Sequence, residues 1–264
     1  IDWLAKNIYF AESLNKTIRV CKSDGRYCRI LINQHCEHVV SLVVNPVIGR
    51  LFWINRSPTS GHEILSAWMN GENIEVLQSH DLDAPTGLTI DYFKDNRLYW
   101  SDHRLNYMES MNYDGTDRAL TSHSSIRSPY SIDIFENHLY WLSKNSGTVN
   151  RVDKHGRGVY KKLLDGLDLV EDLNVFHELK VPRDILNPCS NSPCTHLCLL
   201  KPDSLFECAC PESTQLIDSD LYSCDASMEE PLAEPLACKC VNCWCWYNEA
   251  GVHSKCHKGW SGDL

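Results

Sequence analysis

A short pattern of two adjacent aromatic residues, followed two positions later by a polar residue, occurs four times in this chain. The clearest copy is RLYWSD at 97–102, and the others are NIYFAE at 7–12, RLFWIN at 50–55 and HLYWLS at 138–143. Successive copies are 43, 47 and 41 residues apart when their first aromatic residues are aligned. A period of this size is typical of a chain built from repeated supersecondary units, each packed on the next.

Each repeat also carries a turn signal at a matching place. A glycine follows the first aromatic residue by 16, 19, 16 and 16 positions in the four repeats. Asx-Gly pairs favour β-hairpins, and β-rich runs bounded by Pro, Gly, Asn or Asp surround the aromatic strands. With no convincing amphipathic helix, each repeat predicts four antiparallel strands, the pattern of a β-propeller blade. The turn pairs are Asp24-Gly25, Asn70-Gly71, Asp114-Gly115 and His155-Gly156.

The fold class predicted from this pattern is all-β, with about four propeller blades and a closing strand in residues 1–182. A run within 172–178, LNVFHE, is typical of the first strand of a blade, but no aromatic strand follows it. Because a lone strand cannot form a blade, we expect it to close the ring against strands from an earlier part of a longer polypeptide. The four repeats cover about 1–36, 37–82, 83–124 and 125–165.

The repeated motif has a direct physical interpretation. Alternate residues of a strand face opposite sides of the sheet, so Tyr99 and Trp100 are predicted to fill the gaps on both sides of their blade. Asp102 comes at the end of the strand, where we expect its carboxylate to accept hydrogen bonds from the backbone of a buried turn. The equivalent positions in the other repeats are Tyr9, Phe10 and Glu12; Phe52, Trp53 and Asn55; and Tyr140, Trp141 and Ser143.

The segment GLTIDYFKDNRLYWSD closely resembles the YWTD propeller of the low-density lipoprotein receptor family. The resemblance covers residues 1–182 and implies a six-bladed ring, part of which is present here, whose sequence termini share one blade. It is weaker in the other repeats, where the aspartate of the motif is replaced by Glu12, Asn55 or Ser143. The large multi-propeller receptors are the members of the family that the chain resembles.

The fourteen cysteines are unevenly distributed, with eleven of them in residues 189–256. Such density indicates a disulfide framework formed in an oxidising compartment. The first six of the eleven have intervening gaps of 4, 3, 9, 1 and 13 residues, which predicts an EGF-like module at 183–224. This spacing lacks the paired C-x2-C knuckles of a zinc site. The segment before the module carries one acid, Asp184, so we expect an EGF module that does not bind calcium.

Six cysteines allow fifteen pairings, and their spacing alone does not choose among them. The module also resembles the EGF module that directly follows YWTD propellers in this receptor family. That resemblance implies the pairs Cys189–Cys198, Cys194–Cys208 and Cys210–Cys224.

The remaining C-terminal part is predicted to be a solvated linker at 225–237 and a degenerate or truncated EGF-like module at 238–264. The linker is acidic and carries two prolines. The cysteines from Cys238 to Cys256 are too crowded for a regular module, so their pairing stays open. A thiolate cluster that binds a soft metal is the alternative.

Cys21 and Cys28 flank Asp24-Gly25 symmetrically. A two-residue turn there makes them candidates for a cross-strand disulfide, in the wider, hydrogen-bonded type of pair. Cys36 is an alternative partner for either of them, or a free thiol.

Two N-x-[ST] sequons, at Asn15 and Asn55, are candidate glycosylation sites. Asn15 follows its aromatic strand and is expected on a loop. Asn55 is the weaker candidate, because it takes the inward position of the aspartate in the motif.

No catalytic constellation is found. The nucleophile-elbow, Walker A and dinucleotide-binding patterns are absent, so we predict no catalytic residues, no cofactor and no metal ligands. A net charge of −10 argues against nucleic-acid binding, which requires a basic surface. The longest apolar run, VVSLVVNPVI, is far short of the roughly 20 residues that cross a bilayer, so no membrane span is expected.

These observations predict a non-enzymatic extracellular segment of an endocytic, lipoprotein-receptor-like protein. Its partners would be protein ligands, lipoprotein-like or other, or cysteine-rich ligand-binding repeats elsewhere in the same polypeptide. The parent is expected to be a single-pass type I membrane receptor of the cell surface and endosomes. The alternatives are a Wnt co-receptor or nidogen-like matrix protein with the same pair of domains, and thirdly a calcium-dependent lactonase-type propeller enzyme.

The family is associated with acid-triggered release of ligands. The resemblance implies histidines in two turns where this chain has Ala5 and Ile48, so a direct copy of that switch is not expected. The chain nevertheless contains twelve histidines, a residue type that titrates in the endosomal range. The candidates for an equivalent role are His35, His38, His103, His123 and His138.

Overall fold

The computed structural model describes residues 1–59, 61–93, 96–121, 123–212 and 214–225, and two strands near the C-terminus. Every regular element in these residues is a β-strand. The first fifteen are β1 (Asn7–Glu12), β2 (Thr17–Lys22), β3 (Arg29–Ile32), β4 (Val39–Asn45), β5 (Arg50–Ser57), β6 (Gly61–Trp68), β7 (Glu75–Gln78), β8 (Pro85–Ile90), β9 (Arg97–Asp102), β10 (Tyr107–Asn112), β11 (Ala119–Thr121), β12 (Pro129–Phe135), β13 (His138–Ser143), β14 (Thr148–Asp153) and β15 (Lys161–Leu164). The others are β16 (Leu197–Lys201), β17 (Leu205–Ala209), β18 (Cys243–Asn248) and β19 (Gly251–Cys256).

The first fifteen strands form four antiparallel sheets, each within one of the predicted repeats. Blade 1 has the order β1-β2-β3, and blades 2, 3 and 4 have the orders β4-β5-β6-β7, β8-β9-β10-β11 and β12-β13-β14-β15. The aromatic motif lies on the second strand of each four-stranded blade and on β1 of blade 1. The all-β propeller architecture predicted from the sequence is confirmed.

Adjacent blades pack through the aromatic pairs. Tyr99 lies in a buried cluster with Trp141 of blade 4, whereas its neighbour Trp100 lies in a second buried cluster with Phe52 of blade 2. Trp53 in turn shares a third cluster with Tyr9 of blade 1. The first aromatic residue of a motif therefore faces the following blade, and the second faces the preceding blade. Each fully buried side chain of this size contributes about 1.5–3 kcal/mol to folding.

Two aromatic residues of the motif face no other blade among the described residues. Phe10, the second aromatic residue in blade 1, is 38% exposed. Tyr140, the first in blade 4, is partly exposed. The same alternation explains both, because it directs Phe10 away from blade 2 and Tyr140 away from blade 3.

A β-bulge recurs in the first strand of each four-stranded blade. The register shifts after Val39, after Pro85 and after Pro129. Gly87 shows how confined this position is in blade 3, since an added Cβ would lie 2.7 Å from Ser101 Oγ. Bulges increase the local twist of a strand, so this repeated irregularity gives the three blades a common twist.

The hairpin between Cys21 and Cys28 corrects the prediction of a two-residue turn. Its loop contains three residues, 23–25, and Gly25 has a φ of +83°. Tyr27 is also left-handed, with a φ of +56°. These additional bends bring the two cysteines opposite each other, and they form a disulfide with Cα atoms 4.2 Å apart instead of the wider pair expected. Cys36 is a free cysteine, and it is buried.

The EGF-like module is built on the antiparallel hairpin of β16 and β17. Its loops are tied by three disulfides with Cα separations of 5.9, 5.2 and 5.7 Å, which lie in the ordinary range. They are Cys189–Cys198, Cys194–Cys208 and Cys210–Cys224, the pairs that the resemblance implies.

The closing strand at 172–178 stays a prediction, because its expected partners belong to an earlier part of a longer polypeptide. The segment pairs in no ladder within the described residues. It lies beside β12 instead, where the N–H groups of Leu173 and Val175 donate to Ser131 Oγ at 3.1 Å and to Asp133 Oδ2 at 2.6 Å. Side-chain oxygens thus take the place of the backbone carbonyls of a strand partner.

Residues 225–264 form a second compact unit. Its described part beyond Asp225 is the antiparallel hairpin of β18 and β19, whose register sets Cys243 opposite Cys256. The rest of the linker predicted at 225–237 and of the module predicted at 238–264 lies outside the described residues, and the pairing of its cysteines stays open.

Candidate ligand-binding end of the propeller

Consecutive turns alternate between two ends of each blade, because neighbouring strands run antiparallel. The turns between first and second strands and between third and fourth strands define the EGF end, at 2–6, 23–28, 46–49, 69–74, 91–93, 113–118, 136–137 and 154–160. With β1 counted as the second strand of its blade, the turns between second and third strands and the connections between blades define the histidine end. They lie at 13–16, 33–38, 58–59, 79–84, 103–106, 123–128 and 144–147, and the first two residues of β6, Gly61 and His62, lie at the same end.

The EGF-like module covers the EGF end of blades 1 and 2. Leu197, Leu199 and Leu200 of β16 are at most 1% exposed and belong to the same buried cluster as Tyr9 and Trp53. The contact is also polar, since the side-chain amide of Asn7 donates to Cys198 O at 2.8 Å. The propeller and the module therefore share one continuous core.

Lys201 is the charged anchor of this contact. Its Nζ lies 2.9 Å from Glu72 Oε2, 3.2 Å from Glu207 Oε2 and 5.2 Å from the ring centre of Trp68. The Glu72 hydrogen bond raises the pKa of Lys201 above its ordinary value. The backbone of Lys201 also approaches Gly49 so closely that a Cβ there would lie 2.3 Å from its carbonyl carbon.

In the receptor family that the chain resembles, two turns carry a histidine. The equivalent residues here, Ala5 and Ile48, are packed against buried clusters. Ala5 is 7% exposed and packs in the cluster shared with the module. Ile48 packs against the cluster between blades 2 and 3. Both positions belong to the EGF end, and neither alanine nor isoleucine can bind a proton.

At the opposite end, Asp102 fixes two loops at once. Its Oδ2 accepts the backbone N–H groups of Asp83 and Ala84, each at 2.8 Å, and its Oδ1 accepts those of Arg104 and Leu105 at 3.1 and 3.0 Å. Its side chain is fully buried. Four charge-assisted bonds hold the carboxylate despite its burial and set the shape of the histidine end at blade 3.

The other polar positions of the motif serve the same end of their blades. Asn55 accepts the His38 N–H at 3.1 Å. Ser143 donates to Arg127 O at 2.7 Å. Glu12 is less buried and pairs with Arg19, and hydrogen bonds from Asn15 and then Arg19 lower the pKa of Glu12. Each polar residue thus fastens a neighbouring loop through the contacts that its own length permits.

Six histidines lie at the histidine end, and all are at least partly exposed. His35 Nδ1 is 3.0 Å from Glu63 Oε2. His103 Nδ1 is 3.2 Å from Ala84 O, and its ring centre is 5.9 Å from that of Tyr130. The six are His35, His38, His62, His80, His103 and His123.

The sequence-based candidates therefore divide between the two ends. His35, His38, His103 and His123 share the histidine end, whereas His138 begins β13 at the EGF end. His62 and His80 were missed, although alternation of turns between the ends of antiparallel strands was sufficient to place them with the others.

A cavity of about 750 Å³ lies between β4, β8, β12 and residues 171–174. Its most polar group, Asp133, already accepts a hydrogen bond from Thr89 Oγ1 at 2.8 Å and forms an ion pair with Lys180. In the ranges that the structure describes, no group of three or more His, Cys, Asp or Glu side chains is arranged to hold a metal ion.

Membrane insertion through a helix has no candidate in the described part of the chain. None of its elements is a helix long and apolar enough to cross a bilayer.

The two sequons occupy different environments. Asn15 is exposed in the turn between β1 and β2. Asn55 is fully buried, and its side-chain amide donates to Glu37 Oε2 at 2.6 Å. An attached sugar would need space beside that amide and would disrupt its hydrogen bond to Glu37. Glycosylation of Asn55 is therefore incompatible with this fold.

Comparison with known proteins identifies relatives of this chain. No model of a known protein family matches the chain. It is 34% identical over 224 residues to a vitellogenin receptor of Solenopsis invicta, which covers 85% of this chain and 12% of the relative. It is 31% identical over 220 residues to the vitellogenin receptor Yl of Drosophila melanogaster, covering 82% and 11%. The chain thus spans about a tenth of the length of these relatives.

Among solved structures, the chain resembles one in the crystal structure of a nidogen/laminin complex. The TM-score is 0.54 and the identity is 26%, over 58% of this chain and 57% of that chain. The sequence relatives are receptors, and the structural neighbour agrees with the propeller fold. The chain belongs to the low-density lipoprotein receptor-related protein family.

Proposed function

We propose that this chain is a non-enzymatic, extracellular segment of a large endocytic receptor and that its histidine end takes part in pH-dependent handling of protein ligands. The observation that carries the proposal is the distribution of side chains between the two ends. The EGF-like module covers the EGF end of blades 1 and 2, while six histidines lie at the other. The relatives named as vitellogenin receptors support a lipoprotein of that class as the ligand.

The physical basis is a change of charge on a largely fixed surface. Histidine is the residue type that ordinarily changes charge between neutral and endosomal pH, which is why the proposed switch is assigned to this end. Carboxylates of an acidic, cysteine-rich ligand-binding repeat in the same polypeptide would then be attracted to it. A single exposed charge pair at about 4 Å contributes roughly 1 kcal/mol, so several pairs are enough to displace a bound ligand.

The loops that carry these histidines are well anchored, which favours a docking surface over a flexible segment. Asp102 fixes the loop with His103, and Asn55 fixes the backbone of His38. A surface that keeps its shape loses little conformational entropy when a partner binds. In this proposal the parent is a single-pass type I receptor of the plasma membrane and endosomes.

The test compares paired variants of the full-length receptor at the two ends. His38→Gln with His103→Gln removes two charges from the histidine end, and His138→Gln with His155→Gln removes two from the EGF end as the matched control. Retention of purified vitellogenin is measured at neutral pH and at about pH 5.5. We expect the first pair to reduce the acid-induced loss of ligand about tenfold and the control pair to leave it unchanged.

The principal alternative is a matrix protein that binds its partner independently of pH. The resemblance to a chain of the nidogen/laminin complex favours it as the second candidate. It predicts equal retention at both pH values for wild type and for both pairs of variants, a result that would overturn the proposed switch.

A further inference from the structure

The turn between β1 and β2 carries the one sequon of the described residues whose asparagine is exposed. Asn15 stands in this turn with Leu14, which is 95% exposed, and Lys16, whose φ is +54°. Thr17, the third residue of the sequon, begins β2. The turn belongs to the histidine end, where the Asn15 side chain hydrogen-bonds Glu12, which Arg19 links in turn to Glu212 of the EGF-like module. Asn15 is nevertheless exposed, whereas Asn55 is fully buried.

Asn55 provides an internal comparison, because it begins the second sequon but is buried. Its side chain is 0% exposed, its Oδ1 accepts the His38 N–H at 3.1 Å and its Nδ2 donates to Glu37 Oε2 at 2.6 Å. The hydrogen bond from the Asn55 amide also lowers the pKa of Glu37. A sugar on Nδ2 would replace one amide hydrogen and force the side chain out of blade 2.

We propose that Asn15 carries an N-linked oligosaccharide in the mature protein and that Asn55 does not. The inference rests on the proposed extracellular location, because the donor is found only in the secretory route. The donor is a lipid diphosphate-linked oligosaccharide. A bond forms between its anomeric carbon and Asn15 Nδ2 while the bond from that carbon to the diphosphate oxygen breaks. The amide loses one proton, and the lipid diphosphate leaves.

The position of Asn15 gives the oligosaccharide a consequence for recognition. It stands on blade 1 at the same end as the histidines, so it screens the outer part of that blade from a large partner. Docking is thereby directed to blades 2, 3 and 4, whose turns and connections carry His62, His80, His103 and His123.

The experiment maps occupancy in the full-length protein produced by a eukaryotic secretory host. Glycans are removed enzymatically in heavy-oxygen water, which converts an occupied asparagine to labelled aspartate, and peptides are identified by mass spectrometry. We expect label at Asn15 and none at Asn55. Asn15→Gln should remove one step of glycan mass, and Thr17→Ser, which keeps the sequon, should retain it.

The readout on wild-type protein does not depend on whether a variant folds. Unlabelled Asn15, or label at Asn55 equal to that at Asn15, overturns the proposal. If Asn15 is unlabelled while Cys189–Cys198 is oxidised, the glycosylation alone fails. If Asn15 is unlabelled and the cysteines of the EGF-like module are reduced, the extracellular location fails with it.

Discussion

Lys154 Nζ lies 2.6 Å from Asp91 Oδ2, and this ion pair joins blade 4 to blade 3 with both side chains more than nine-tenths buried. Asp91 Oδ1 also accepts the backbone N–H of Phe93 at 3.1 Å. Both charges are largely shielded from water, and the ion pair compensates for part of the cost of burying them.

We expect Lys154→Met to lower the free energy of unfolding by about 3–5 kcal/mol, because it leaves the Asp91 carboxylate buried without its counter-charge. Lys161→Met, on the exposed strand β15, is the control and should change stability by at most about 0.5 kcal/mol. Adding Asp91→Asn to Lys154→Met should recover part of the loss, since asparagine keeps the acceptor for Phe93. Thermal and chemical unfolding of the full-length protein provide the measurement, and equal stability of the Lys154 and Lys161 variants would contradict this account.

Replacement of Asp102 should impair folding and secretion. Asp102→Ala removes the acceptor of four backbone N–H groups, and the cost should exceed about 3 kcal/mol. Asp102→Asn should be milder, because one oxygen remains. The secreted yield and the unfolding temperature are the readouts, with the exposed Asp168→Ala as control. Normal secretion of Asp102→Ala would rule out the anchoring role.

Substitutions at two glycines distinguish the effect of backbone strain from the effect of a steric clash at the EGF end. Gly49 and Gly25 both have positive φ values, +64° and +83°, but an added Cβ meets Lys201 only at Gly49 and finds nothing within 4 Å at Gly25. We therefore expect Gly49→Ala to loosen the EGF-like module and Gly25→Ala to leave it in place. Hydrogen exchange of β16 amides in the full-length protein measures the difference. Similar protection in both variants would show that the close approach is unimportant.

The ion pair of Lys201 with Glu72 should persist in endosomes. Hydrogen bonds from Asn70 and then Lys201 lower the pKa of Glu72 below its ordinary 4.5. A carboxylate of lowered pKa stabilises the fold fully above its unfolded value, and the contribution is lost as pH falls below about 4.5 toward the folded value. Protection of β16 should thus be equal at neutral pH and at about pH 5.5, after correction for intrinsic exchange.

Loss of that protection at endosomal pH would point to another titrating group in the contact. His196 belongs to this contact, since its ring centre lies 4.4 Å from that of Tyr27. His196→Gln would then restore the protection.

Cys36 should be inert in the folded protein. Its burial, and next the charge of Glu37, raise the pKa of its thiol to about 12. At pH 8 only about one thiol in ten thousand is then ionised, and the thiolate is the reactive form. A maleimide should label Cys36 after denaturation without reductant but not before. Rapid labelling of native protein, or none after denaturation, would contradict a buried free thiol.

Local sequence signals were sufficient for the blades. The spacing of the aromatic pairs identified the second strand of each blade, and strand alternation predicted that Tyr99 and Trp100 face different neighbours. Disulfide pairing in the EGF-like module required the resemblance, because spacing does not choose among fifteen pairings. These features depend on residues that are close in sequence or on a known pattern.

Features that depend on long-range packing could not be predicted in the same way. No pattern near Lys201 indicates that it meets Trp68 and Glu72, so the covered end of the propeller was not foreseen. Tyr27 adopts a left-handed φ, which its residue type does not predict. This bend contributes to the alignment of Cys21 with Cys28. The segment 172–178 has a strand-like sequence, but a strand also needs a partner, which the described residues do not supply.

The shared core of blades 1 and 2 with the EGF-like module has a mechanical consequence. Leu199 and Trp53 belong to one buried cluster, so no hinge separates the two domains. The EGF-like module and the blades should therefore rotate together as one rigid body. The distance between the histidine end and Cys224 is then set by packing rather than by the conformational entropy of a flexible linker.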